Sequence, residues 1–111
     1  MSPTVSTQVV TLLTAAPGTE EAKRIARALV SERLAACANI IPAVSSIYWW
    51  KGQVQEEQEA MLVIKTTAAQ VNALEARLVE LHPYDVPELL SIPVTGGYPP
   101  YIAWVGSEVK G

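Results

Sequence analysis

Apolar residues recur along this chain with two periods, and the switches between those periods divide it into elements. Gln8 to Leu13 is dense in Val, Thr and Leu without helical spacing, which predicts a mostly buried first strand ended by Pro17-Gly18. The spacing then changes. Ile25, Ala26, Leu29, Val30 and Leu34 form a helical stripe. Thr19 is a candidate cap, Glu20 and Glu21 suit the positive end of the helix dipole, and the helix is expected to run to about Ala36. Ile40 to Trp50 is β-branched and aromatic, interrupted at Pro42, and after Lys51-Gly52 a partner stretch runs from Val54 to Thr66, so a long hairpin is expected. Thr67 and Gln70 have capping-box spacing before Val71, Leu74, Leu78 and Leu81, a second helix that Pro83 stops. Leu89 to Val94 predicts a fourth strand. Gly96-Gly97 and Pro99-Pro100 read as a turn, and Tyr101 to Val105 as a short terminal strand.

This order, β-α-β-β-α-β plus a C-terminal strand, predicts an α+β fold: a ferredoxin-like split β-α-β sandwich with both helices on one face of an antiparallel sheet. The hairpin strands, of about 12 residues, span about 40 Å. A compact domain of this length is only about 34 Å across, so the hairpin should overhang its own subunit. Trp49 and Trp50 are adjacent in a strand and point to opposite faces, of which the helices cover one. The other ring needs different cover, and a second copy of the chain supplies it most economically, so a homo-oligomer is expected.

With 111 residues, half of them apolar, the chain suits a single domain over residues 1–111. A net charge of −3 with scattered Lys and Arg argues against nucleic acid as a partner. Apolar runs such as Ala60 to Ile64 are far too short for a bilayer, and Met1 to Leu13 lacks the features of a secretory signal, so no membrane association is expected. Cys37 stands alone, which excludes an intrachain disulfide and fits a reducing cytoplasm.

Candidate chemistry concentrates in His82-Pro83-Tyr84-Asp85-Val86-Pro87-Glu88, a corner whose two prolines fix the direction of its side chains. His82, the chain's only histidine, is the candidate metal ligand, with Asp85 and Glu88 as possible helpers. There is no HxH, HExxH or CxxC, so one chain encodes no tight metal site. Glu56, Glu57 and Glu59 read as a solvated strand edge, and Lys65 as a charge paired with a neighbouring carboxylate. Cys37, following an apolar helix stripe, reads as a buried and inert thiol. No enzymatic activity is expected.

Three blocks carry a family resemblance: Ser31-Glu32-Arg33-Leu34-Ala35-Ala36-Cys37-Ala38-Asn39-Ile40-Ile41-Pro42, Ser46-Ile47-Tyr48-Trp49-Trp50-Lys51-Gly52, and Leu81 to Leu90 followed by Ile92-Pro93-Val94. Over roughly residues 8–105 the chain resembles the divalent-cation tolerance (CutA) family. The resemblance implies a homotrimer built through the long hairpins and the terminal strand, a cytoplasmic setting, and a role in tolerance of copper and other divalent metal ions. It also implies metal ligation by a strand-one cysteine and a His-His pair. Here those positions are Thr14 and Leu81-His82, so only His82 is retained and Cu(II) binding should be weak, with no obligatory cofactor. The family looks akin to the PII signalling proteins, which gives an alternative: a trimer binding a small anionic effector in an inter-subunit pocket lined by Lys65, Tyr84, Glu88 and Trp104.

Overall fold

The computed structural model describes residues 7–111. Its order is β1 (Val9–Ala16), α1 (Thr19–Ser31), β2 (Cys37–Trp50), β3 (Gln53–Thr67), α2 (Val71–Leu81), β4 (Leu90–Pro93) and α3 (Pro99–Glu108). The four strands form one sheet in the order β2-β3-β1-β4 with every neighbour antiparallel, as the ferredoxin-like reading requires. Even-numbered residues of β1 and β3, including Val10, Leu12, Leu62 and Ile64, join Ala22, Ile25, Ala26 and Leu29 of α1 and Leu74 and Leu78 of α2 in the main core. These helix positions recur at three- and four-residue intervals, which is why each helix buries one face. Arg77 of α2 clasps Glu32 with Nε and Nη2, at 2.9 and 3.0 Å, and links the second helix to the end of the first.

Helix α1 stops at Ser31, earlier than expected, through a backbone cap. Arg33 adopts a left-handed φ of 62°, its amide bonds Val30 O, and the Leu34 amide reaches back to Leu29 O. Leu34 is thereby buried beyond the helix rather than on its stripe. Neither expected threonine cap forms: Thr19 lies inside α1 behind Gly18, and Thr67 precedes a 3-10 turn, Ala68–Gln70, with no side-chain capping bond.

The terminal segment departs most from expectation. Tyr101 to Val105 is not a strand but part of α3, because Pro99 and Pro100 occupy the first helical positions, where their fixed φ suits a helix and their missing amides cost nothing. Ile102, Val105 and Val109 then recur at helical spacing and close a second cluster with Val9, Ala36 and Val94. Val9 projects from the side of β1 opposite Val10, so α3 covers one end of the sheet face that α1 and α2 leave open. Gly106 permits this approach, since a Cβ there would come within 2.7 Å of the Thr7 hydroxyl.

The hairpin is longer than the sequence suggested, with 14 and 15 residues in its strands. It closes through Lys51 and Gly52, both at positive φ (51° and 79°), a two-residue turn whose twist matches the strands. Pro42 sits where the pairing shifts: β2 advances three residues from Ile41 to Val44 while β3 advances two, from Met61 to Glu59. This bulge accommodates the missing proline amide. The chain extends 58 Å along its long axis against 25 and 22 Å across it. Its radius of gyration, 15.2 Å, exceeds the roughly 13 Å of a compact chain of this length, as an overhanging arm demands.

Candidate functional site

Pro83 prevents helical continuation, so His82 ends α2 in an extended conformation and turns back beneath the end of β1. Its Nε2 lies 2.7 Å from the Ala15 carbonyl oxygen, and its Nδ1 accepts the Tyr84 amide at 3.1 Å. A carbonyl only accepts, so this network assigns the proton to Nε2 and leaves a neutral imidazole with both nitrogens engaged. The ring is 7 % exposed and tilts against Tyr84 at 4.8 Å between centroids. The expected metal ligand is therefore a structural pin in this conformation: a metal at Nδ1 would have to displace the Tyr84 amide. Among the described residues, no three His, Cys, Asp or Glu side chains gather as a metal site. Thr14, where the resemblance implies a cysteine, is fully buried on the helix side of β1.

The pinned corner aims Tyr84 at the arm. Its hydroxyl donates to Glu59 at 2.8 Å, and Tyr48 of β2 donates to Glu57 at 2.5 Å. The bond to Glu57 pushes the Tyr48 phenol up to about 12. Burial first, then the bond to Glu59, pushes Tyr84 up further. These side chains, with Trp50, Gln55, Pro83, Asp85, Pro87 and Glu88, line an open cleft of about 880 Å³ between the corner and the base of the arm. Glu57 and Glu59 are thus bonded cleft residues, Glu57 remaining exposed as a strand-edge residue would be, while Glu56 points to the other face. The signal was present: a two-residue Lys51-Gly52 turn pairs Tyr48 with Gln55 and Ser46 with Glu57, which puts Tyr48 and Glu57 on one face.

The four expected pocket residues do not converge within one chain. Tyr84 and Glu88 line the cleft, but Lys65 and Trp104 lie at the other end of the open sheet face, with Lys65 about 20 Å along β3 from Glu59. Lys65 donates to the Asn39 side-chain oxygen rather than to a carboxylate. Trp104 tilts against Tyr101 at 5.5 Å, and the Tyr101 hydroxyl lies 3.6 Å from Cys37 Sγ. Cys37 is accordingly half-buried at a polar contact rather than sunk among apolar side chains.

A profile of the family described as CutA1 divalent ion tolerance protein matches residues 10–108. The chain belongs to this family. A curated CutA1-family relative, the divalent-cation tolerance protein CutA of Thermus thermophilus, is 47% identical over 85% of this chain and 91% of its own length. The CutA homolog of Xenopus laevis is 48% identical over 84% of this chain and 62% of its own length, and the mouse protein CutA is covered to only 50%. The chain thus spans about half to three-fifths of these animal relatives. The crystal structure of CutA1 from Oryza sativa matches with a TM-score of 0.92 at 37% identity, covering 95% of this chain and 96% of its own. That of the Thermus thermophilus protein matches with 0.89 at 43%, covering 92% and 99%. The CutA1 likeness therefore includes α3, which the family match spans.

Proposed function

We propose that this chain serves tolerance of divalent metal ions as a binding or regulatory module, without chemistry of its own, assembled in the cytoplasm as a homotrimer through the β2–β3 arm. The arm carries the reading. Trp49 is 73 % exposed and Ile47 67 % exposed, on the face that α1 and α2 bury farther down the sheet, and Val54, opposite Trp49, is exposed too. Such a stripe on an overhanging hairpin is stable in water only if another chain covers it. Trp50 faces the cleft side instead, so Trp49 is the ring assigned to the partner. The family's name supports the role in metal tolerance. The non-catalytic reading rests on a histidine with both nitrogens occupied and on the lone thiol beside a phenol.

Light scattering after size exclusion tests the assembly: three chains at low micromolar concentration are expected, and a monomer there would refute it. Trp49→Ala should cost about 3–5 kcal/mol per site and make the assembly dissociate. Direct Cu(II) binding by wild type is expected to be weak and stronger than Zn(II) binding by the usual divalent order, and nanomolar copper affinity would overturn this. The alternative of an anionic effector in an inter-subunit pocket of Lys65, Tyr84, Glu88 and Trp104 is the weaker reading. Tyr84 and Glu88 sit among carboxylates that repel an anion, and Lys65 is bonded elsewhere.

A further inference from the structure

We propose that His82 is an acid-sensitive latch, which ties the corner to β1 while its imidazole is neutral and releases the corner when the ring takes a second proton. The device follows from counting donors and acceptors. Nε2 donates to the Ala15 carbonyl of β1 at 2.7 Å and Nδ1 accepts the Tyr84 amide at 3.1 Å, so the ring must offer one donor and one acceptor. An imidazolium is a donor at both nitrogens. Its new N–H would meet the Tyr84 N–H, which turns a hydrogen bond into an opposition of two donors. With the ring only 7 % exposed, water is poorly placed to stand in for the lost partner. The charges around the ring give no relief. Strand β1 offers it the Ala15 carbonyl, and α1 brings a cation, Arg24, whose Nη2 donates to the neighbouring Leu81 carbonyl at 2.6 Å. The acids of the packed elements are engaged elsewhere: Glu21 of α1 with Arg24, Glu80 of α2 with Arg77, and Glu59 of β3 with Tyr84. Asp85 and Glu88 of the corner line the cleft, and among the described residues no carboxylate pairs with the imidazole. Release reaches the arm through Tyr84. Its ring tilts against the imidazole at 4.8 Å between centroids and its hydroxyl donates to Glu59 at 2.8 Å, so a corner that leaves the imidazole strains that bond as well. Pro83 and Pro87 stiffen the corner, which favours movement as one piece. Imidazole is the side chain that ordinarily titrates between about pH 5 and 8, and His82 is the chain's one histidine, so a response in that window belongs to it. All these groups lie in one chain, and the inference does not depend on the trimer.

Nitrogen-15 NMR on the full chain, titrated from about pH 8 to about pH 5, reads ring and backbone together. At the upper end the imidazole should carry its proton on Nε2. As pH falls it should gain the second proton, and the Tyr84 amide and ring signals should shift in the same transition while the Leu12 and Ile64 amides stay in place. Hydrogen exchange at the Tyr84 amide, corrected for the acid dependence of exchange itself, should lose about tenfold in protection. His82→Asn sets an amide oxygen near the place of Nδ1 and cannot titrate, so its Tyr84 signals should hold across the range. Should that variant fold poorly, His82→Gln, which keeps a donor toward Ala15, should likewise show no transition. A proton on Nδ1 at the upper end, a ring still neutral at the lower end, or a ring that titrates while Tyr84 does not move overturns the proposal. So does a transition that persists in either variant. Movement of Leu12 and Ile64 in the same transition also overturns it, because the imidazole would then support the whole fold rather than the corner. Light scattering of the same samples reports the assembly separately, so the latch and the trimer fail independently.

Discussion

Two threonines with identical burial should respond oppositely to the same substitution. Thr14 on β1 and Thr66 on β3 are both fully buried on the helix side of the sheet, opposite Leu62 and Val10. The Thr66 hydroxyl donates to the Leu34 carbonyl at 2.6 Å, beyond the backbone cap of α1. The Thr14 hydroxyl has no partner among the described residues. Valine replaces the hydroxyl by a methyl of similar volume. In Thr66→Val this breaks a buried bond and strips the Leu34 carbonyl of its side-chain donor, at about 1–3 kcal/mol. In Thr14→Val it removes a desolvated hydroxyl that returned nothing on folding, and the protein should gain about 1 kcal/mol. Equilibrium urea unfolding at one fixed protein concentration is the assay, because assembly makes midpoints concentration-dependent. The midpoint should rise for Thr14→Val and fall for Thr66→Val at unchanged slope. If Thr14→Val is destabilised as much as Thr66→Val, the hydroxyl has a partner such as a buried water, and the reasoning fails.

Lys51→Asn, at the first positive-φ position of the arm's turn, should stabilise the hairpin by about 0.5 kcal/mol, read as slower amide exchange at Gln53; faster exchange would count against the turn geometry. His82→Ala should cost about 2–3 kcal/mol in urea unfolding by stranding the Ala15 carbonyl and the Tyr84 amide, while Cu(II) affinity stays unchanged; a large loss of copper binding would restore His82 as a ligand. In an alkaline ultraviolet titration the Tyr48 and Tyr84 phenols should both ionise above the ordinary tyrosine range. A folded-state value raised above the unfolded one of about 10 means that the Tyr48–Glu57 bond contributes fully below that pH and is lost as pH rises through about 12. Ionisation of Tyr48 or Tyr84 at the ordinary tyrosine value would contradict that residue's bond to its carboxylate.

Most of the architecture was legible because it is written in local spacing. The stripes through Ile25 and Leu29, and through Leu74 and Leu78, and the turn residues Lys51-Gly52 specify their elements within a few residues of themselves. At Pro99-Pro100 proline as a breaker competes with proline as a helix starter, and the helical spacing of Ile102, Val105 and Val109 decides for the latter. The site was only half legible. That the corner would be rigid follows from Pro83 and Pro87, but the partner that claims the imidazole, Ala15 O, is 67 residues away, and local sequence carries no trace of it. Within one chain the sheet puts about 20 Å of strand between Lys65 and Glu59, the partner of Tyr84, so the inter-subunit pocket of Lys65, Tyr84, Glu88 and Trp104 would take its two halves from different chains. Tyr48, Glu57 and Glu59 were recoverable from register arithmetic, because the turn fixes which residues of the hairpin share a face.

The bulge at Pro42 changes the parity of the arm. Below it, even-numbered residues of β2 such as Ile40 face the helices; above it odd-numbered ones do, so Ile47 and Trp49 share that side while Tyr48 and Trp50 share the cleft side. The surplus residue lets the register set by the Lys51-Gly52 turn coexist with the register set where β2 meets the core. Deleting Ala43 would remove the bulge and leave the pairs on either side of it in place, since the turn holds Trp49 opposite Val54 and Tyr48 opposite Gln55. In evolution such an arm can lengthen or shorten by matched pairs across its two strands, and a lone extra residue is absorbed as a bulge that leaves both flanking registers intact.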